Sequence, residues 1–113
     1  MHEMALCRSI IELCREQAEQ QGFRTVKTIR LAIGTLSHVE PQALEFGFDA
    51  ASRGTLAEGA VLEIERPPGQ AFCMVCEATV PLAQRFDPCP RCDGHQLIVT
   101  GGEEMRVKDL EVE

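Results

Sequence analysis

The chain has 113 residues, 44% of them hydrophobic and none of them Trp or Tyr. That suits one small domain, or a small domain with a mini-domain, whose modest core gains materially from a metal cross-link. Eleven basic against eighteen acidic residues leave a net charge of −7, which disfavours nucleic acid as a partner, since its binding rests on a basic patch that neutralises phosphates.

Met1-His2-Glu3-Met4 lacks the basic start of a secretion leader, and Arg8 and Glu12 interrupt the apolar stretch behind it. No segment approaches the roughly 18 uninterrupted apolar residues of a membrane span. The expectation is a soluble, cytoplasmic chain with reduced thiols and no membrane partner.

Residues 4–21 have helical periodicity, with Cys7, Ile10, Ile11, Cys14 and Ala18 at spacings of three and four and charged residues between them. Gly22 suits the position just past the helix. Val26 to Ile33 reads as a strand with Ile29, Leu31 and Ile33 on one face. Pro41 marks a first helical position, and Leu44, Phe48 and Ala51 form an apolar stripe that Gly54 closes. Ala60 to Glu65 alternates as a second strand. Pro67-Pro68-Gly69 and Gly101-Gly102 read as linkers. After them Met105, Val107, Asp109 and Glu111 alternate with Arg106, Lys108, Leu110 and Val112, an ambiguous final strand that is able to rejoin the first sheet.

Between the linkers stand Cys73, Cys76, Cys89 and Cys92, two C-x2-C pairs separated by twelve residues. Each pair places two thiolates on a tight knuckle, and two facing knuckles complete a tetrahedron around Zn²⁺. Thr79 to Leu82 and Leu97 to Val99 are the two short strands expected there. A thioredoxin-like pair needs no twin, and an iron–sulfur cluster uses the same ligands. Zinc in a closed, structural site is the expectation. His95 reads as a loop residue or as an outer group near the site. Cys7 and Cys14, seven apart on a helix, lie beyond disulfide reach and read as core thiols.

Met1-His2-Glu3 juxtaposes a free α-amine, a backbone amide and an imidazole, with the Glu3 amide and carboxylate close by. Square-planar nitrogen and oxygen donors suit Ni²⁺ or Cu²⁺. The first N–H groups of a helix lack intrahelical acceptors, so a metal can displace an amide proton there without breaking the helix. The competing reading is an incidental histidine, with Glu3 merely favouring the helix dipole. His38 reads as a loop or capping residue.

Together, Met1-His2-Glu3, Ile33-Gly34-Thr35-Leu36-Ser37, Val39-Glu40-Pro41, Leu44 with Phe46 and Phe48, Gly54-Thr55 with Glu58, and the paired C-x2-C resemble the HypA/HybF nickel metallochaperones. The resemblance covers essentially the whole chain. It implies a non-enzymatic protein that delivers Ni²⁺ during nickel–iron hydrogenase maturation, in some organisms also for urease. Its implied partners are the GTPase HypB and the hydrogenase large-subunit precursor. His2 is then the essential nickel ligand, supported by Met1 and Glu3, and Cys73, Cys76, Cys89 and Cys92 hold zinc. The implied fold is α+β: a small three-stranded mixed sheet with two helices in residues 1–68, completed by a strand in 103–113, with a zinc ribbon inserted at 69–102. Monomer and homodimer both remain open. Some members carry a histidine soon after the second zinc cysteine; here Glu77-Ala78-Thr79 follows Cys76. The alternative is a zinc-ribbon interaction adaptor without nickel delivery.

Overall fold

The computed structural model describes residues 3–113; Met1 and His2 lie outside the described residues. Its elements run α1 (Glu3–Gln21), β1 (Val26–Ile33), α2 (Pro41–Ala51), β2 (Val61–Glu65), β3 (Gln70–Cys73), β4 (Ala78–Pro81), β5 (Leu97–Gly101) and β6 (Met105–Val112). Two three-stranded sheets result, in the orders β2-β1-β6 and β4-β3-β5. Contacts divide the chain into two units. The first comprises the chain up to Leu31, His38–Ile64 and Val107–Glu113; the second comprises Ala32–Ser37 and Glu65–Arg106.

In the first unit α1 buries Cys7, Ile10, Ile11 and Cys14, the stripe its periodicity dictates, because residues three and four apart share a helix face. It stops at Gly22, whose φ of +80° is a conformation glycine adopts without a Cβ clash. Pro41 opens α2 and holds Glu40 extended before it. Contrary to expectation α2 does not reach Gly54. Ser52 caps it by donating its N–H to the Phe48 carbonyl, and a turn follows in which the Gly54 N–H donates to Glu58 Oε1 at 2.9 Å. The helices meet where Cys7 Sγ donates to the Leu44 carbonyl at 3.4 Å. Burial pushes the Cys7 and Cys14 thiols up, which keeps both protonated as core side chains.

β6 is antiparallel to β1, since Thr25 and Glu113 exchange both backbone bonds at 3.1 and 2.9 Å. β2 advances in step with β1, with Arg30 facing Glu63 and the Thr35 N–H bonded to the Pro67 carbonyl, so the sheet is mixed. Its exposed side gathers Arg30 with Asp109, Glu111 and Glu63 at 2.6, 3.3 and 3.6 Å. The strict alternation expected of β6 is broken. Met105 and Val107 are half-buried, but so is Leu110, so the inward side changes parity between Val107 and Leu110. β1 makes the matching change between Val26 and Ile29, and the backbone pairing is therefore in the same register at both ends of the two strands.

The second unit packs Leu36, Ala71, Cys73, Val80, Leu82 and Cys89 into one core. Sequence periodicity missed β3, the central strand, which pairs antiparallel with β4 and β5. The segments expected as linkers are tightly packed. A Cβ on Gly69 would lie 2.1 Å from the Leu82 carbonyl oxygen, and one on Gly34 would lie 2.0 Å from the Gly102 oxygen. That same Gly102 oxygen accepts the Leu36 N–H at 2.8 Å. Arg66 Nε and Arg85 Nε donate to the carbonyls of Ile33 and Leu36, so the Ile33–Leu36 stretch is held by side chains as well as by backbone.

Candidate metal centre

Cys73 ends β3 and Cys76 follows its knuckle, while Cys89 and Cys92 flank the turn that leads toward β5. In the first knuckle the Cys76 N–H donates to Cys73 Sγ, and in the second the Arg91 N–H donates to Cys89 Sγ, both at 3.4 Å. Backbone dipoles thus point at sulfur, which favours thiolate. Glu77 and Asp93, each directly after the second cysteine of its pair, take left-handed φ values of 52° and 62°. These residues turn the chain out of each knuckle, at the position where glycine is the unstrained choice.

All four sulfurs lie within 4.8 Å of one another. Cys73 and Cys92 are 3.7 Å apart, Cys76 and Cys89 3.9 Å. A tetrahedron with sulfur about 2.3 Å from its centre has edges of about 3.8 Å, so the cluster fits one tetrahedral divalent ion. As neighbouring thiols the four resist ionising together. The bond to the Cys92 sulfur, then burial, push Cys76 up to about 12. For Cys89 burial acts upward, but the N–H groups of Cys92 and Arg91 outweigh it and bring the thiol down to about 7. A divalent cation removes this conflict by neutralising the sulfurs jointly. Cys73 and Cys89 are buried and Cys92 is exposed, so one edge of the cluster faces solvent.

At the other candidate site the structure places only Glu3. It is the first residue of α1, and its Oε2 accepts the Glu40 N–H at 3.5 Å. This ties the start of α1 to the residue before α2, a contact that no spacing in the sequence signals. His38, two residues earlier, is exposed. His95 is exposed as well and lines a hollow of about 220 Å³ with Phe86, Leu82 and Val99. Among the described residues, Cys73, Cys76, Cys89 and Cys92 form the metal-ligating group that converges, and no helix is long and apolar enough to cross a membrane.

Comparison with known proteins decides the family. The profile described as "Hydrogenase/urease nickel incorporation, metallochaperone, hypA" matches residues 1–112. The chain belongs to the HypA family. It is 56% identical to "Hydrogenase maturation factor HypA" of Rhodopseudomonas palustris strain BisA53 and 54% identical to "Hydrogenase maturation factor HypA 2" of Bradyrhizobium diazoefficiens, over all of both chains in each case. Among solved structures it is similar to the Ni metallochaperone HypA from Helicobacter pylori, with a TM-score of 0.70 and 25% identity, covering 99% of this chain and 97% of that one. A second solution structure of a HypA protein aligns with a TM-score of 0.73 and 26% identity, covering 100% of this chain and 97% of that one. The two helices, the mixed sheet and the separate antiparallel sheet bearing the four cysteines are the HypA-like fold. HypA proteins are nickel metallochaperones of hydrogenase maturation, not enzymes, and this chain carries the four-cysteine metal site as well.

Proposed function

We propose that this chain binds Ni²⁺ through Met1, His2 and Glu3, holds Zn²⁺ in Cys73, Cys76, Cys89 and Cys92, and passes nickel to a nickel–iron hydrogenase precursor together with the GTPase HypB in the cytoplasm. The observation that carries the reading is the family match across residues 1–112, which spans an amino terminus written Met1-His2-Glu3. The α-amine, the His2 amide and its imidazole are nitrogen donors suited to square-planar Ni²⁺. Glu3 sits where α1 begins, so the amides beside it have no helical acceptor to lose when a metal displaces their protons. An end-of-chain site is also open to a partner that adds or removes ligands during transfer. The functional division we propose is nickel handling by 1–68 with 103–113 and a zinc ribbon at 69–102.

Zinc is the ion proposed for the cysteines because four thiolates at tetrahedral spacing suit it and leave no open position for chemistry. It stabilises the ribbon, whose core includes Cys73 and Cys89 themselves.

The test is nickel titration of the untagged protein, of His2→Ala, and of a chain extended before Met1, with zinc counted separately by metal analysis. One nickel per chain in the native protein and none in either variant supports the reading. Undiminished stoichiometric binding in both variants overturns it. Zinc content that stays unchanged across all three shows that the two metals occupy different sites.

A further inference from the structure

β6 pairs with β1 and, among the described residues, with no second strand, so its outer edge is one border of the sheet. Such an edge presents a row of backbone donors and acceptors that templates pairing with another chain. Beside it lies a groove of about 360 Å³ whose lining includes Leu13 and Phe23, with Leu110 and Val112 of β6 itself.

The sequence of β6, Met105-Arg106-Val107-Lys108-Asp109-Leu110-Glu111-Val112, is self-complementary. Its first half is cationic and its second half anionic. Two copies laid antiparallel about a two-fold axis between Lys108 and Asp109 place Lys108 opposite Asp109, Arg106 opposite Glu111, Val107 opposite Leu110 and Met105 opposite Val112. Residues directly opposite in an antiparallel pair share a face, which in an uninterrupted strand would set odd positions against even ones. The parity change between Val107 and Leu110 resolves this, because both of those side chains are half-buried on the inward side. Arg30 engages Asp109 through Oδ1 and Glu111 through Oε2, so those bonds use one oxygen of each carboxylate.

We infer that β6 is a homotypic pairing edge: a second copy of this chain adds its own β6 antiparallel to this one, joining two three-stranded sheets into one of six strands. Charge complementarity selects the copy over other occupants. A chain of net charge −7 repels itself elsewhere, and this strand brings opposite charges into register under the symmetry that closes a dimer.

The experiment is analytical ultracentrifugation of the full-length protein over a wide concentration range, with folding checked by circular dichroism. The native chain forms a concentration-dependent dimer that salt weakens. Arg106→Glu with Lys108→Glu makes the strand wholly acidic, and Asp109→Lys with Glu111→Lys makes it wholly basic. Each double variant alone associates about tenfold more weakly or worse, while an equimolar mixture recovers a heterodimer because every facing pair is again of opposite sign. Recovery in the mixture also excludes misfolding as the cause of the loss. A native chain that stays monomeric overturns the inference, as does a dimer that persists in both variants. So does a dimer that forms only on unfolding and refolding, the mark of strand exchange.

Discussion

The sulfurs of Cys73 and Cys92 stand 3.7 Å apart, a spacing set by ligation to a common ion, since a disulfide closes at about 2.05 Å. Cys73 ends the central strand of the ribbon and is itself part of that unit's core, so metal binding and ribbon packing are one event.

Chelation is therefore expected to unfold the ribbon locally. Removing zinc from the native protein should abolish hydrogen-exchange protection of the amides of Ala71 and Val80, which are buried in the ribbon core. Structural zinc sites contribute on the order of 10 kcal/mol at pH 7, far more than this short sheet supplies by burial. Protection that survives chelation would show a ribbon held by its apolar core alone.

Release of the ion should follow acid. A bound cation keeps the sulfurs ionised below the ordinary thiol range, so the folded-state values are depressed; the stabilisation is greatest at high pH and is lost as pH falls through those values. Cys76, which as a thiol is pushed up to about 12, is the reluctant member, and Cys89, at about 7, is the ready one. A zinc-release titration with a colorimetric chelator should show loss on acidification and retention on the alkaline side.

Gly47 should accept alanine although it is buried between the helices. A Cβ there would meet Cys7 Sγ at 3.5 Å and Met4 Cε at 3.9 Å, ordinary contact distances. Replacing a mid-helix glycine with alanine lowers the entropy of the unfolded chain and should stabilise the protein by about 0.5–1 kcal/mol, measurable as a higher denaturant midpoint.

Gly34→Ala should act in the opposite direction. The added carbon would stand 2.0 Å from the Gly102 carbonyl oxygen, which is backbone and cannot rotate away. The expected outcome is a chain that loses cooperative unfolding, or one recovered only as aggregate, when compared with the native protein in the same assay.

Leu36→Ala should weaken the ribbon although the residue lies far from it in sequence. Leu36 is 3% exposed and packs in one cluster with Cys73, Val80 and Cys89. Truncating a buried leucine costs about 2–5 kcal/mol. The loss should show as easier zinc removal by a competing chelator, with the helical signal of α1 retained.

How much of this was legible in advance follows from how local each signal is. The helical stripe from Cys7 to Cys14 and the two C-x2-C pairs declare themselves because a few neighbouring residues fix their geometry. β3 was missed because Gln70-Ala71-Phe72-Cys73 is four residues long and ends in a metal ligand, too short for alternation to register. Gly69 and Gly102 look like linker glycines because sequence does not distinguish a flexible joint from a place where two backbones nearly touch. The parity change in β6 hid the strand's inward side, since a strict period of two assigns Val107 and Leu110 to opposite faces. The bond from Glu40 to Glu3 joins residues 37 apart, and no local pattern encodes it. Met1 and His2, the heart of the nickel proposal, were marked by chemistry alone.

The position of Leu36 bears on transplantation. The ribbon unit draws on Ala32–Ser37 as well as on Glu65–Arg106, so the metal-bearing segment is not a cassette. Grafting the cysteine stretch by itself onto another scaffold would leave behind the leucine that fills its core, the Leu36 carbonyl that receives Arg85, and the Gly34 that lies against Gly102. A working graft must carry both pieces, and a recipient must offer two attachment points held at a fixed separation.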